Sequence, residues 1–481
     1  MKTNSLDFDA RALREKILDL AMRGKLVKQD PNDEPASVLL EKIKAEKAEL
    51  VKEKKIKKSK PLPEITDDEK PFDIPDSWEW VHVKDVTTIG NFHSVSPQNI
   101  NQGENLIELA DIESNTGRLL NFEKVTSEVG SNKYQYNQGD VLFAKLRPYL
   151  RKVLIAPNDG ICTTELLPIN GIQTSNIYIY YTFLSSLIFE QIRQEMHGVN
   201  LPRISPKKLA ELIIPLPPLS EQSRIAAKIA QLFALLRKVE SSTQQYAKLQ
   251  TLLKSKVLDL AMRGKLVKQD PNDEPASGLL EKIKAEKEQL IKEKKIKRSK
   301  PLPPISDEDK PFEIPDSWEW VRLGDILLET IGGGTPSKKI ENYWNGDIPW
   351  ISVKDIHSNT MRIKKTQDTI TNCGLKNSST NLIKANTLVV VMRMAVGRIS
   401  ITDMDACINQ DLRALITSKY FYDKYLLYIY PQLSFETSGI TVKGIRLDNL
   451  LQTIIPLPPL LEQKRIVSKI KDLVSLLVSG N

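Results

Sequence analysis

The chain has 481 residues, enough for two to four domains, and 40% of them are hydrophobic and 27% charged. That balance excludes a disordered chain, and no apolar run approaches the roughly 18 residues of a membrane helix or the greasy core of a signal peptide. The net charge of +8 favours a nucleic-acid partner, and Cys162, Cys373 and Cys407 match neither a disulfide nor a zinc spacing, which points to a reducing cytoplasm.

Taken in chain order, Leu6, Ala10, Leu13, Ile17 and Leu20 alternate spacings of three and four, the pattern of a helix with an apolar seam. A turn-rich stretch, Gln-Asp-Pro-Asn-Asp-Glu-Pro, separates it from a Lys-rich helix beginning at Leu39. The twenty residues from Glu41 hold nine basic and four acidic side chains, a face open to solvent, phosphates or a partner protein. A Pro-rich acidic connector follows, and Trp78 and Trp80 are expected to pack its junction with the next domain. That domain mixes strand-like runs (VLFAKL, KVLIA) with turns and a helix near its end, SNIYIYYTFLSSLIFEQIRQEM, which predicts an α+β domain. After IIPLPPL at Ile213, the seam Ile225, Ile229, Leu232, Leu236, Val239, Tyr246, Leu253, Val257 and Leu260 spans five heptads and predicts a coiled-coil helix.

Then the chain repeats itself. From Leu18 to Val81, 54 of 64 positions match those from Leu258 to Val321, including the second Lys-rich arm and the pair Trp318 and Trp320. IIPLPPL returns at Ile454, followed by the seam Ile466, Ile470, Leu473 and Leu477. The two intervening variable stretches look almost unrelated, yet GDVLFAKLRPYLRKV from Gly139 sits where NTLVVVMRMAVGRIS sits from Asn386. Likewise, CTTELLPI from Cys162 sits where CINQDLRALI sits from Cys407. One fold carrying different surface residues accounts for this. The period of 240 to 241 residues is half the chain length, so tail and head are expected to rebuild a second long helix antiparallel to the first about a pseudo-twofold axis, bringing Met1 and Asn481 close together.

Catalytic signatures are missing. GGGTPSKK from Gly332 lacks the spacing of a phosphate loop, the Pro-Pro pairs lack the flanking residues of an adenine-methyltransferase motif, and the four histidines are scattered. Acidic-x-Lys triplets such as Glu308-Asp309-Lys310 stand in a connector without a paired Pro-Asp. The residues describe a recogniser rather than a catalyst.

A duplicated unit with IPLPPL-x-EQ-x-RI, long heptad helices, GKLVKQDPNDEPAS arms and two dissimilar variable domains resembles the specificity subunit of type I restriction–modification enzymes. KLRPYLRKV with TTELLPI, and GGGTPSKKIENYWNGDIPWISVKDI, strengthen the resemblance, which covers nearly the whole chain. It implies an α+β chain in which two α/β target recognition domains, 81–217 and 321–458, are separated by a pair of long antiparallel coiled-coil helices. The remaining segments are 1–25 and 459–481 (the two parts of the second helix), 218–264 (the central helix), and 26–80 and 265–320 (arms and connectors). The implied partners are double-stranded DNA, read as two halves of an asymmetric bipartite target, two methylation subunits, and restriction/translocation subunits. S-adenosylmethionine, ATP and Mg would sit on those partners, with no cofactor on this chain, no catalysis by it alone and no membrane.

Expected DNA-binding residues in the first domain are Lys145, Arg147, Tyr149, Arg151, Arg203, Lys207 and Lys208. In the second they are Thr335, Ser337, Lys338, Lys339, Tyr343, Trp344, Lys354, Arg393, Arg398, Lys443 and Arg446, with the loop glycines allowing close backbone approach and Trp350 in the core. Arginine can bridge guanine O6 and N7, whereas Lys and Ser/Thr often hold phosphates. Each of these positions could equally be a solvated surface group. Two competing readings are a coiled-coil scaffold that joins protein partners without reading DNA, and a self-contained restriction–methylation enzyme.

Overall fold

The computed structural model describes residues 9–58, 60–127, 129–195, 202–357, 360–438 and 443–479. The chain divides between Gln244 and Gln245 into two compact units, close to where the repeat predicts the second copy to begin.

In the first unit the helix Ala10–Met22 starts at Asp9, whose carboxylate accepts from the amide of Ala12 at 3.0 Å. It ends at Gly24, whose φ of +66° and close approach to the Pro75 ring leave no room for a side chain. The arm helix runs Ala36–Lys52, three residues earlier than its apolar pattern indicates, because Pro35 fixes the first turn; its twin is Ala276–Lys292. The strand Glu79–His82 then pairs antiparallel with Ile213–Leu216, and Glu319–Arg322 pairs with Ile454–Leu457 in the same register. Each variable domain is therefore an insertion whose incoming and outgoing chains are zipped together at its base.

The insertions share a framework despite their sequences. In the first, Val141–Ala144 lies between Val153–Ile155 and Leu166–Ile169, and Gly160–Thr163 runs parallel to Asn105–Ile107. In the second, Leu388–Val391 lies between Ile399–Thr402 and Leu412–Thr417, and Ala406–Ile408 runs parallel to Trp344–Ile351. The two correspondences read from the sequence thus fall on equivalent strands. The Tyr-rich segment of the first insertion forms two helices, Asn176–Leu184 and Ser186–Glu195. They part at buried Ser185, whose hydroxyl donates to the carbonyl of Thr182 at 2.6 Å. In the second, Asp423–Ile429 tightens into a 3-10 turn at Tyr430–Gln432, where Pro431 has no amide to donate.

Arm and insertion are not separate bodies. Leu18, Met22, Leu39, Ile43 and Trp78 share one apolar cluster with Val141, Phe143 and Tyr178, and the second unit repeats the arrangement.

The predicted long helix is continuous from Leu219 to Met262, 44 residues or about 66 Å at 1.5 Å each. Its seam is only partly buried, which corrects the expectation of a closed coiled coil. Ile225, Ile229, Ile466 and Ile470 are buried, while Leu232, Leu236, Val257, Leu260, Leu473 and Leu477 are half-buried. Val239, Tyr246 and Leu253 are exposed. The buried positions are those that also belong to the apolar clusters of the globular units. In the head helix Leu13 is exposed, Ile17 and Leu20 are half-buried, and Leu18 is the position turned into the core. Leu6, Met1 and Asn481 lie outside the described residues.

Candidate nucleic-acid interface

The repeated motif Pro-Pro-Leu-x-Glu-Gln builds a latch beneath each insertion. Buried Glu221 accepts from the indole N–H of Trp78 at 2.9 Å and from Gln29 at 2.6 Å. Glu462 does the same with Trp318 at 2.9 Å and Gln269 at 2.6 Å. Burial pushes both carboxyls above their ordinary pKa, against the opposing pull of these hydrogen bonds and of Arg224 or Arg465. The next residue reaches into the insertion. Gln222 accepts from the amide of Ser175 at 2.9 Å and donates to the carbonyl of Pro217 at 2.9 Å. Gln463 repeats this with Tyr422 and Pro458, both at 2.9 Å. From the insertion side, the hydroxyls of Tyr178 and Tyr425 donate to the carbonyls of Pro215 and Pro456. Trp78 and Trp318 are buried, as expected of residues that pack this junction.

On this base each insertion presents the same pair of loops. In the first unit the amide of Arg147 donates to the carbonyl of Pro202 at 2.8 Å, and that of Ile204 to Lys145 at 3.1 Å. In the second, Met394 donates to Lys443 at 3.0 Å and Ile445 to Met392 at 2.8 Å. The hairpin loop is thereby stitched to the segment that starts the next helix, Pro206–Glu211 or Leu447–Gln452. Arg147 (φ +49°) and Met394 (φ +73°) both hold left-handed backbone. The stitch gathers the predicted Lys145, Arg147 and Arg203 in one unit, and Arg393, Lys443 and Arg446 in the other.

A family model described as a type I restriction modification DNA specificity domain matches residues 75–250 and 315–479, well over half of the chain. The chain belongs to this family. It is a specificity subunit of the type I restriction–modification systems. The specificity subunit of the type I restriction enzyme EcoAI of Escherichia coli is 34% identical over 97% of this chain and 89% of its own length. That of EcoEI, also from Escherichia coli, is 38% identical over 71% of this chain and 66% of its own. Among solved structures, the HsdS subunit from Thermoanaerobacter tengcongensis superposes with a TM-score of 0.51 at 22% identity, covering 86% of this chain and 93% of that one. A chain from a structure of a type I R-M system reaches 0.59 at 22% identity, covering 85% and 93%. These two likenesses speak for the fold. The scaffold reading finds no support in these relatives.

The other expected contact residues of this specificity subunit separate by environment. Tyr149, Lys207, Lys338, Lys339 and Lys354 are exposed, as is Ser337, whose carbonyl accepts from Trp344. Lys208 is paired with Glu195 and Glu211. Arg151 is engaged inside the protein: its side chain is 12% exposed, and its guanidinium lies 3.3 Å from Glu15 and is stacked 4.6 Å over the Phe189 ring. Burial lowers its pKa while Glu15 opposes the shift. Thr335 is bonded to Gln410, and half-buried Arg398 donates to the carbonyl of Ile356 at 3.2 Å. Tyr343 and Trp344 are half-buried, the latter edge-on against buried Trp350 at 5.1 Å. The loop glycines admit the protein's own backbone: a Cβ on Gly333 would stand 2.2 Å from the carbonyls of Ile408 and Asn409, so close approach there serves internal packing.

Sequence reasoning missed Met394, at 71% exposure the most open large hydrophobic among the described residues, because an apolar side chain does not register in a search for charge. Glu221, Gln222, Glu462 and Gln463 were visible only as a repeated motif without partners. Among the described residues no group of three or more His, Cys, Asp or Glu could hold a metal ion, and no helix is long and apolar enough to cross a membrane.

Proposed function

We propose that each insertion reads one half of an asymmetric, bipartite DNA target in the major groove, where every base pair shows a distinct pattern of donors and acceptors. The observation that carries this reading is the pair of stitched loops, matched in two backbone hydrogen bonds in the two units and unlike in the side chains they expose, Arg147 and Arg203 in one against Arg393, Met394 and Lys443 in the other. A common frame with unlike side chains is what two readers of two unlike half-sequences require. The exposed Arg203 and Lys207 in one unit, and Arg393, Lys443 and Arg446 in the other, supply the positive charge that phosphates attract.

The long helix then sets the interval between the halves, with head and tail segments lying antiparallel along it. Support comes from Arg14 bonded to Glu240 at 3.0 Å in one unit, and from Gln250 donating to the carbonyl of Leu477 at 2.7 Å in the other. The repeated arms and helices dock two methylation subunits, which carry S-adenosylmethionine and take the flipped adenine; restriction/translocation subunits carry ATP and Mg. The complex works in the cytoplasm, in keeping with free thiols at Cys162, Cys373 and Cys407. Footprinting of the full chain with its methylation partner is expected to show two protected half-sites about one helical turn apart. A single continuous footprint overturns the reading.

A further inference from the structure

Superposing the hydrogen bonds of the two insertions aligns their residues one by one. The amide of Lys145 donates to the carbonyl of Glu165 at 3.0 Å, and that of Met392 to Asp411 at 2.7 Å, so Glu165 and Asp411 are equivalent. Together with the stitch, this makes Arg147 equivalent to Met394, Leu146 to Arg393, and Arg203 to Gly444. Two consequences were hidden from the sequence.

The first concerns a guanidinium. In the first unit Arg203 pairs with Glu165 through Nε at 3.5 Å; in the second, Arg393 pairs with Asp411 through Nε at 2.6 Å. The two arginines come from opposite strands of the stitch, facing Leu146 and Gly444 respectively, yet each meets the same carboxylate position. Both are half exposed, at 50% and 51%. An Nε contact leaves the two terminal nitrogens of the fork for an outside acceptor. The second concerns the tip beside it. Arg147 and Met394 share one left-handed backbone position, a conformation unfavourable for a residue with a Cβ and held here by the stitch on both sides. Their side chains have opposite chemistry.

From this alignment we infer a division of labour, which rests on the reading of the insertions as half-site readers. The guanidinium kept at one place by two different routes serves a feature common to both half-sites, the phosphate backbone. The tip that keeps its backbone and changes its side chain reads a base: Arg147 takes the O6 and N7 of a guanine in the first half-site, and Met394 packs on the 5-methyl of a thymine in the second.

The test uses the full chain in complex with its methylation partner. Mapping modified adenines in host DNA gives the motif; duplexes are then made in which each thymine of the second half is replaced in turn by deoxyuridine, which removes only the methyl. One replacement is expected to weaken binding about fourfold, the value of one buried methyl, and to have no effect on M394A. In the first half, 7-deazaguanine at one guanine is expected to cost roughly 5- to 150-fold for the native chain and nothing for R147A. R203A and R393A should weaken binding to all sequences alike, lower the salt slope by about one, and leave the motif unchanged. Duplex sensitivity that persists in M394A and R147A, or its absence from the native chain, overturns the assignment while leaving two half-sites in place. A motif without two halves overturns the half-site reading and this inference with it. Because the modified-base duplexes probe the native chain, a misfolded variant does not remove the test.

Discussion

Replacing Trp78 by Phe should destabilise the first unit, and replacing Trp318 by Phe should destabilise the second by the same amount. Each indole donates at 2.9 Å to a buried carboxyl, Glu221 or Glu462, which has one further side-chain donor in Gln29 or Gln269. Leaving a buried acceptor one donor short costs about 1–3 kcal/mol. For a unit of some 240 residues, each kcal/mol moves Tm by about 2–4 °C, so a drop of about 2–12 °C is expected in either variant. The assay is thermal unfolding of the full chain followed by far-ultraviolet circular dichroism, which does not depend on the indole removed. The two latches belong to different apolar clusters, so the double variant should be additive within about 0.5 kcal/mol. A shift under about 1 °C in either copy, or clearly unequal shifts, would refute the view that the motif works as one latch used twice.

The buried carboxyls of Glu221 and Glu462 also predict a pH dependence. Their folded pKa lies above 4.5, so the stability they allow is complete below that value and declines as pH rises through the raised folded pKa. Denaturation midpoints of the native chain should therefore fall as pH rises above 4.5, relative to the E221Q/E462Q double variant, and parallel curves would contradict this. Gly24→Ala and Gly264→Ala should each cost well over about 1 kcal/mol, because a Cβ would stand 2.4 or 2.3 Å from a proline ring at positive φ. Gly103→Ala, at φ +83° but with open space around the added methyl, should cost less, and equal losses in urea titrations would count against the packing argument. Arg151→Ala should lower stability by about 1–2 kcal/mol through loss of the Glu15 pair and the Phe189 stack, and leave the modified motif intact. A changed motif would place Arg151 on the DNA.

Much of the architecture is legible in the sequence because duplication doubles the signal. Heptad spacing from Ile225 marks an unbroken helix, and Val141–Ala144 and Leu388–Val391 are apolar runs in the same order along the two insertions, each ahead of its IIPLPPL block. The burial of the seam is less legible, since apolar spacing does not reveal how far a neighbour extends: Val239, Tyr246 and Leu253 keep the heptad rhythm and face solvent. The proposed contact face is legible by composition only. Arg151 and Arg147 sit four residues apart in one basic run with the same left-handed backbone, and only the tertiary neighbours Phe189 and Glu15 draw the first inward while the second stays exposed. The shared placement of Arg203 and Arg393 against equivalent carboxylates is invisible to any alignment of letters, because the equivalence lies between strands.

The latch asks very little of whatever domain sits above it. Gln222 and Gln463 grip a peptide N–H, a group that every residue but proline owns, and three positions further on a tyrosine hydroxyl closes the joint. A foreign cartridge that brings this tyrosine and a matching apolar underside can be seated without retuning the hydrogen bonds of the chassis. Gene exchange can thus rewrite what such a protein recognises in a single event, while the machinery beneath goes on working unaltered.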